Sequence, residues 1–391
     1  MQIGVELPEM HNTSRELHNA LVDVVKVRFV EIKYMEYLFN DVLEIKNGKN
    51  QKLVENPEGL YPIYGSGGII GYADKYICEA NTVIIGRKGS INNPIYVSEP
   101  FWNVDTAFGL SPKQDILLPR YLFYFCKNYN FEKLNKTVTI PSLTKADLLK
   151  IQIDLPSIDE QRRIVDKLIK VETIINLRNY QVQQLDDLIK ARFVEMFQDG
   201  SSPLKTVEEV CSNIVDCPHT TPKYEGELKN PAIRTSEIKK GFLVWNTMRY
   251  VSDDEYLERT VRLIPEAGDI VYGREGAFGN AAILPTGYKF CLGQRVMLLR
   301  PDYSKCTSEY LLHAVISDDV YQQAVVKNNA STVAHVNVKD VKQFKVPLPS
   351  LYKQKEFATF VHQIDKSKAT VQKALDETQL LFDSLMQQYF G

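Results

Sequence analysis

The chain has 391 residues, of which 44% are apolar and 25% charged, and its formal net charge is −2. That length allows two or three domains, each with its own core. No apolar run approaches the roughly 18–20 residues that span a bilayer, and the near-neutral balance excludes a global basic field while leaving room for a local basic face.

Residues 1–35 read as an N-terminal arm with a short helix. Thr13 and Glu16 are placed for a capping box, and Leu21, Val25 and Ile32 follow at helical spacing. Residues 36–154 hold glycines, prolines and aromatics around short β-like runs at Thr82–Ile85 and Pro94–Val97, with a helix expected near Arg120–Asn128. Residues 155–197 read as one long helix. A proline followed by Ser157 supplies the start signal, and a seam follows at Ile164, Leu168, Val171, Ile175, Val182, Leu185, Ile189 and Met196, interrupted by Arg178 and Arg192. From Ser157 to Phe197 the span is roughly 60 Å at 1.5 Å per residue, longer than a small domain is wide, so the helix reads as a strut. Residues 198–347 form a second globule, with β runs at Asp269–Tyr272 and Arg295–Leu299 and a helix near Ser308–Val315. Residues 348–391 are a second strut, its seam at Phe357, Val361, Ile364, Val371, Leu375, Phe382, Leu385 and Tyr389, interrupted by Lys368 and Thr378.

The order of these elements repeats. Leu155-Pro156-Ser157-Ile158-Asp159-Glu160-Gln161 returns as Leu348-Pro349-Ser350-Leu351-Tyr352-Lys353-Gln354, an offset of 348 − 155 = 193. Gly86-Arg87-Lys88-Gly89 matches Gly273-Arg274-Glu275-Gly276, an offset of 273 − 86 = 187. A period this long denotes a duplicated domain rather than a solenoid. Arg28-Phe29-Val30-Glu31 repeats Arg192-Phe193-Val194-Glu195, so the chain begins with the tail of a strut, as if the repeat were circularly shifted. The globules diverge far more than the struts: two equivalent frames carry two different surfaces.

The motifs weigh against catalysis. Gly86-Arg87-Lys88-Gly89-Ser90 is no phosphate loop, because lysine precedes the second glycine, Pro94 breaks any following helix and Glu275 replaces Lys88 in the other copy. It reads either as a structural hairpin turn or as a loop that approaches nucleic acid, where Arg87 and Arg274 suit phosphate or guanine. Tyr61–Tyr72 is too rich in glycine, and too interrupted by Pro62, to open a helix; it reads as a glycine-rich turn or a close backbone approach to a ligand. His219, in the loop Asp216–Pro222, reads more readily as a turn or surface residue than as a catalyst. No G-x-S-x-G, H-E-x-x-H or Walker motif is found, and no amino-methyltransferase Asn/Asp-Pro-Pro-Tyr run. Cys78, Cys126, Cys211, Cys217, Cys291 and Cys306 form no C-x-x-C pair, which suits a reducing, cytoplasmic compartment. Cys211, Cys217 and His219 are wrongly spaced for zinc, so no metal is expected. A binding protein is the better reading.

Two divergent globules, each followed by a similar helix opening Leu-Pro-Ser-x-x-x-Gln, resemble the DNA-specificity subunit of a Type I restriction–modification system. Ile140-Pro141-Ser142-Leu143-Thr144-Lys145-Ala146-Asp147-Leu148 and the loops Tyr64-Gly65-Ser66-Gly67-Gly68 and Asp216-Cys217-Pro218-His219 carry the resemblance with the strut starts, over about residues 14–391. The second strut departs from the pattern at Tyr352-Lys353-Gln354-Lys355-Glu356 but keeps its glutamine. The fold expected is α/β of the α+β kind: two mixed, mostly β target-recognition globules separated by two long antiparallel coiled-coil helices, related by a pseudo-two-fold, in a circularly shifted repeat.

The resemblance implies a non-catalytic subunit in which each globule reads half of a bipartite, asymmetric double-stranded DNA site. The struts would set the spacer and dock two methyltransferase subunits, with restriction and motor subunits joining them. S-adenosylmethionine and ATP would belong to those partners; this chain would carry no cofactor and touch no membrane. Candidate DNA contacts are Tyr64, Ser66 and Gly67; Arg87, Lys88, Ser90 and Asn92; Thr139, Ser142 and Lys145; His219, Thr220 and Thr221; Arg274; and Lys327 and Asn329. Residues 36–154 hold 13 Lys/Arg and 13 Asp/Glu, so binding by the chain alone is expected to be weak and salt-sensitive. A coiled-coil adaptor that binds proteins, or a specificity module of another nuclease or defence system, are the alternative readings.

Overall fold

The structure, a computed structural model, describes residues 33–391 apart from 136–140, 227–228, 277 and 329–334. The expected N-terminal helix, Thr139 and Asn329 lie outside the described residues. The chain divides into two compact units, Met1–Asn179 with Lys373–Gly391, and Tyr180–Gln372. Each division falls inside a long helix, so each unit holds one globule, the first part of one helix and the last part of the other.

The first unit contains β1 (Met35–Leu38), β2 (Leu43–Asn47), β3 (Tyr61–Gly65), β4 (Gly68–Ala73), β5 (Thr82–Gly86), β6 (Ile95–Val97), β7 (Trp102–Asn103), β8 (Ala107–Pro112) and β9 (Gln152–Leu155). Its main sheet has the order β2-β8-β5-β6, all antiparallel, and a smaller one the order β4-β3-β7, with β3 parallel to β7. The run Thr-Val-Ile-Ile-Gly becomes β5, buried along its whole length. A continuous apolar run suits a strand with neighbours on both edges and both faces covered. The helix Pro119–Asn128 buries Tyr121, Leu122, Tyr124 and Cys126 against this sheet's core. β1 pairs antiparallel with β9, tying the start of the globule to the strand that feeds the first long helix.

The second unit repeats this plan with β10 (Leu204–Thr206), β11 (Cys211–Asp216), β12 (Tyr224–Glu225), β13 (Asn230–Ile233), β14 (Arg249–Val251), β15 (Ile270–Gly273), β16 (Ala281–Ile283), β17 (Cys291–Leu292), β18 (Val296–Pro301) and β19 (Lys345–Pro347). The order β11-β18-β15-β16 matches the first unit's main sheet strand for strand. β13 runs parallel to β17 as β3 does to β7, and β10 pairs with β19 as β1 does with β9. The expected strands and the helix Ser308–Val315 are present, and four further helices among the described residues, Val207–Val210, Asp253–Thr260, Asp318–Asn328 and Val338–Gln343, make this globule more helical than its sequence suggested.

The long helices run Ile158–Phe197 and Leu351–Phe390. The hydroxyls of Ser157 and Ser350 accept from the amides of Glu160 (3.3 Å) and Lys353 (3.5 Å), capping both starts. In the first unit Ile164, Leu168 and Val171 share a core with Phe382, Leu385 and Tyr389. In the second, Ile189, Phe193 and Phe197 share one with Phe357 and Val361. The pairing is antiparallel: Lys167 reaches the Tyr389 hydroxyl at 3.4 Å, and Arg178 bonds the Ala374 carbonyl and the Thr378 hydroxyl. Leu185 is buried, but Ile175, Ile364, Val371 and Leu375 are only partly buried, since Arg178 and Lys368 sit in the middle of the seam. Lys368 is neutralised by Asp186.

The motif glutamine has a structural job. Gln161 is fully buried; its Oε1 accepts from the Leu118 amide (2.9 Å), and its Nε2 donates to the carbonyls of Ile116 (2.8 Å) and Pro156 (3.0 Å). Gln354 repeats the set with the Thr307 amide (2.9 Å) and the carbonyls of Lys305 (2.9 Å) and Pro349 (3.0 Å). Each glutamine pins a long helix to the loop that opens the adjacent globule helix, which is why the residue survives in both copies of the motif.

Candidate nucleic-acid interface

In each unit a Gly-Arg-x-Gly loop leaves the end of a central strand and pairs with the chain just ahead of the long helix. In the first unit the Leu143 amide donates to the Arg87 carbonyl (2.9 Å), the Gly89 amide donates to the Pro141 carbonyl (3.1 Å), and Lys88 bridges Ser142. In the second, the Val336 amide donates to the Arg274 carbonyl (2.9 Å), and Glu275 bridges His335. Both loops close on a glycine with left-handed φ, +80° at Gly89 and +70° at Gly276. At Gly86 a Cβ would sit 2.2 Å from the Ser90 carbonyl oxygen, so the tight turn requires glycine there. The glycines therefore build a tight turn, and Lys88 and Ser90 stand exposed on it.

The first unit gathers most of its expected residues on one rim. Tyr64 lies at a register shift between β3 and β4, its ring edge-on to Phe101 at 5.4 Å, and burial raises its phenol pKa. Ser66 and Gly67 form the two-residue turn between β3 and β4. The Tyr64 carbonyl accepts from the Val104 amide (3.0 Å), and the Thr106 carbonyl accepts from the amides of Arg87 (2.8 Å) and Lys88 (3.3 Å). Residues 104–106 thus join the hairpin to the basic loop. Lys88, Ser90 and Gly67 are exposed, and Arg87 is half-buried over the Phe108 ring. Asn92 and Lys145 are exposed and also bond within the fold: the Asn92 carboxamide accepts from the Phe131 amide (2.8 Å), and Lys145 donates to the Ile45 carbonyl (2.6 Å).

The second unit corrects one expectation. Arg274 is only 5% exposed; its Nη2 bonds Asp216 Oδ1 at 2.8 Å and its Nη1 the Val336 carbonyl at 3.4 Å. It ties the core of the loop and does not face solvent. Asp216 also lies 3.5 Å from the exposed His219 imidazole. Thr220 and Thr221 are exposed and held from below: the buried Arg259 guanidinium donates to the carbonyls of Thr220 (3.2 Å) and Gly293 (3.0 Å), and the Gln294 carboxamide donates to the Thr221 hydroxyl (3.0 Å). Lys327 is exposed in the last turn of Asp318–Asn328, with no hydrogen bond or ion pair to this cluster among the described residues.

Sequence reasoning missed Arg295. It occupies the place of Thr106, since its carbonyl accepts from the Arg274 amide at 2.9 Å as that of Thr106 accepts from Arg87. Its Nε lies 2.9 Å from Glu275 Oε2, while Glu275 Oε1 lies 3.2 Å from His335 Nδ1. The polar row therefore runs Thr221, Gln294, Arg295, Glu275, His335. Its only trace in the sequence is the exchange of Lys88 for Glu275 between copies, which moves the cation to the neighbouring loop. Among the described residues no group of three or more His, Cys, Asp or Glu is placed to hold a metal ion, and no helix is long and apolar enough to cross a membrane.

A family model described as the Type I restriction modification DNA specificity domain matches residues 31–186 and again 223–378. The Type I restriction enzyme MjaVIII specificity subunit of Methanocaldococcus jannaschii is 23% identical over 377 residues, covering 85% of this chain and 88% of that protein. The EcoBI specificity subunit of Escherichia coli is 23% identical over 375 residues, covering 85% and 77%. The crystal structure of a Type I S subunit from M. genitalium superposes with a TM-score of 0.57 at 17% identity, covering 94% of this chain and 98% of that one, a likeness of fold.

Proposed function

The chain belongs to the family of Type I restriction modification DNA specificity domains, with two copies of that domain, and on that premise we propose that it is the sequence-reading subunit of such a system. Each globule contacts one half of a bipartite site through the rim built around its Gly-Arg-x-Gly loop. The observation that carries this reading is the pairing of one duplicated frame with two different rims. Lys88 and Ser142 occupy the places in the first unit that Glu275 and His335 occupy in the second. Equivalent scaffolds with unlike polar edges suit an asymmetric site, because the scaffold fixes register and the edge side chains read bases.

On this reading the chain performs no chemistry. It docks two methyltransferase subunits, and restriction subunits join that assembly in the cytoplasm. S-adenosylmethionine and ATP are bound by those partners, and the long helices set the distance between half-sites. The test is to co-express the chain with the methyltransferase of its own system in a methylation-free host and to map methylated adenines. One asymmetric motif with a fixed spacer supports the reading; methylation that is unchanged when the chain is omitted overturns it.

A further inference from the structure

Arg295 combines three properties that ordinary surface arginines lack. Its backbone sits at φ +65°, and among the described residues only Asn81 shares a left-handed φ without being glycine. A non-glycine residue in that region carries strain that its surroundings must hold in place, and such outliers concentrate where a side chain has work to do. Here the Arg274 amide fixes the Arg295 carbonyl, and the Cys217 amide fixes the next residue's carbonyl, that of Val296, at 3.2 Å. The buried Arg259 guanidinium clamps the preceding carbonyls of Leu292 (2.8 Å) and Gly293 (3.0 Å). The strained residue therefore stands on a rigid base.

The side chain is 63% exposed yet aimed. Glu275 holds its Nε at 2.9 Å, and no hydrogen bond of its terminal nitrogens is found among the described residues. Glu275 is itself bracketed by His335 on the opposite side, at 3.2 Å, in a paired stretch of backbone. A guanidinium gripped at Nε projects the Nη1 and Nη2 edge outward, the fork that matches two acceptors in one plane. In the major groove the base edge that presents two acceptors side by side is guanine, through N7 and O6. Phosphate also offers paired acceptors, but a phosphate contact needs no strained backbone to orient it.

We propose that Arg295 reads a guanine in the half-site of the second globule, with Glu275 as its positioning residue. The inference rests on the second globule reading DNA. The duplicate position in the first unit is Thr106, which has no such fork, so the two half-sites are read by different chemistry at this place.

The experiment compares methylated-adenine maps for the wild-type complex and for complexes carrying Arg295→Ala, Arg295→Lys and Glu275→Gln. Arg295→Ala is expected to relax one guanine position in one half-site, with discrimination there falling roughly tenfold to a hundredfold, while the other half-site and the spacer stay as they were. Arg295→Lys relaxes the same position, because an ammonium cannot fork. Glu275→Gln weakens discrimination at that position to a smaller degree. A slower but unchanged motif for Arg295→Ala means a phosphate contact and overturns the assignment. If Arg295→Ala abolishes methylation, binding of the purified wild-type complex to duplexes carrying 7-deazaguanine at each half-site guanine decides the matter: one sensitive guanine supports the assignment, and none overturns it. A wild-type complex that yields no bipartite motif removes the underlying DNA-reading function rather than the role of Arg295 alone.

Discussion

The Arg178 guanidinium in the first long helix donates to the Thr378 hydroxyl in the second, and that hydroxyl donates to the Ala374 carbonyl at 2.7 Å. Through the 193-residue offset the duplicate places are Val371 (178 + 193) and Leu185 (378 − 193). One unit thus has a polar pair where the other has two apolar residues. Arg178 and Thr378, each of which breaks the heptad pattern of its own helix, account for each other.

Thr378→Val is expected to cost about 1–2 kcal/mol, because it leaves a partly desolvated guanidinium short of an acceptor. Installing the residues of the duplicate positions together, Arg178→Val with Thr378→Leu, should recover most of that loss, since replacing both partners removes the unmet polar group. A double-mutant cycle on thermal midpoints of the full chain checks this. Losses in Arg178→Val and Thr378→Leu that simply add up in the double variant would show that the pair contributes nothing.

Gln161→Ala leaves the Leu118 amide and the carbonyls of Ile116 and Pro156 without their partner. A buried donor and two carbonyls left unmet correspond to a loss of about 2–4 kcal/mol. The expected signature is local: faster amide exchange at Leu118 and the start of the helix Ile158–Phe197, with the region around Thr307 unchanged. Gln354→Ala should give the mirror result. Uniform protection in both variants would refute the latch.

The contrast between the long helices and the globules shows what the sequence carried openly. Ser157 and Ser350 announce helix starts because capping is local chemistry, and the seam from Ile164 to Val171 is periodic because one face meets one partner. The runs that became β5, β15 and β18 were legible to within about two residues, since buried central strands are mostly apolar. The helices Asp253–Thr260 and Asp318–Asn328 were not, although Ser252 with three acids after it was a usable start signal. The sites were less legible still. Arg274 and Arg87 look alike in sequence, yet Asp216, on β11 and 58 residues away from Arg274, decides that Arg274 is buried. The setting of Arg295 rests on a backbone angle, which no pattern in the chain encodes, and on Glu275, whose exchange for Lys88 between copies is the trace the sequence carries.

The fates of the two loops predict opposite phenotypes. The Lys88 ammonium is exposed and makes no hydrogen bond or ion pair among the described residues, so Lys88→Ala should leave the midpoint of unfolding unchanged. It should weaken DNA binding by the assembled complex evenly across sequences and reduce the salt slope by about one. Arg274→Ala leaves Asp216 without its cation and should cost about 2–4 kcal/mol of stability. Fluorescence anisotropy at several salt concentrations, alongside thermal melts, separates the two. A sequence-dependent loss for Lys88→Ala would make that lysine a base reader.

His313 supplies a pH dependence. Its ring lies among Phe193 and Phe357, and burial first, then the Lys368 cation, lowers its pKa from 6.5 to about 4. A base with a depressed folded pKa is neutral in the fold and takes up a proton more readily when unfolded. Its neutral state therefore costs nothing above about pH 6.5, and stability falls as pH drops from there toward about 4, by on the order of 2–3 kcal/mol. His313→Phe should flatten that decline. Melting curves for both proteins between pH 7 and 4.5 check it, and parallel declines would show that other groups carry the acid sensitivity.

Both long helices cross the division between the two compact units, at 179/180 and 372/373. Removing one heptad from each about those points, residues 177–183 and 370–376, keeps the seam in phase because the apolar face recurs every seven residues. Each deletion shortens its helix by about 10 Å, which is the rise of about three base pairs. If the helices set the spacing, the adenine methylation map of the deleted complex will show the same two half-sites with the spacer shorter by about three base pairs. Deleting a heptad from one helix alone leaves its antiparallel partner seven residues too long and should abolish methylation. Altered half-site bases with an unchanged spacer would mean that the helices set no distance and that the globules are joined functionally by some other part of the chain.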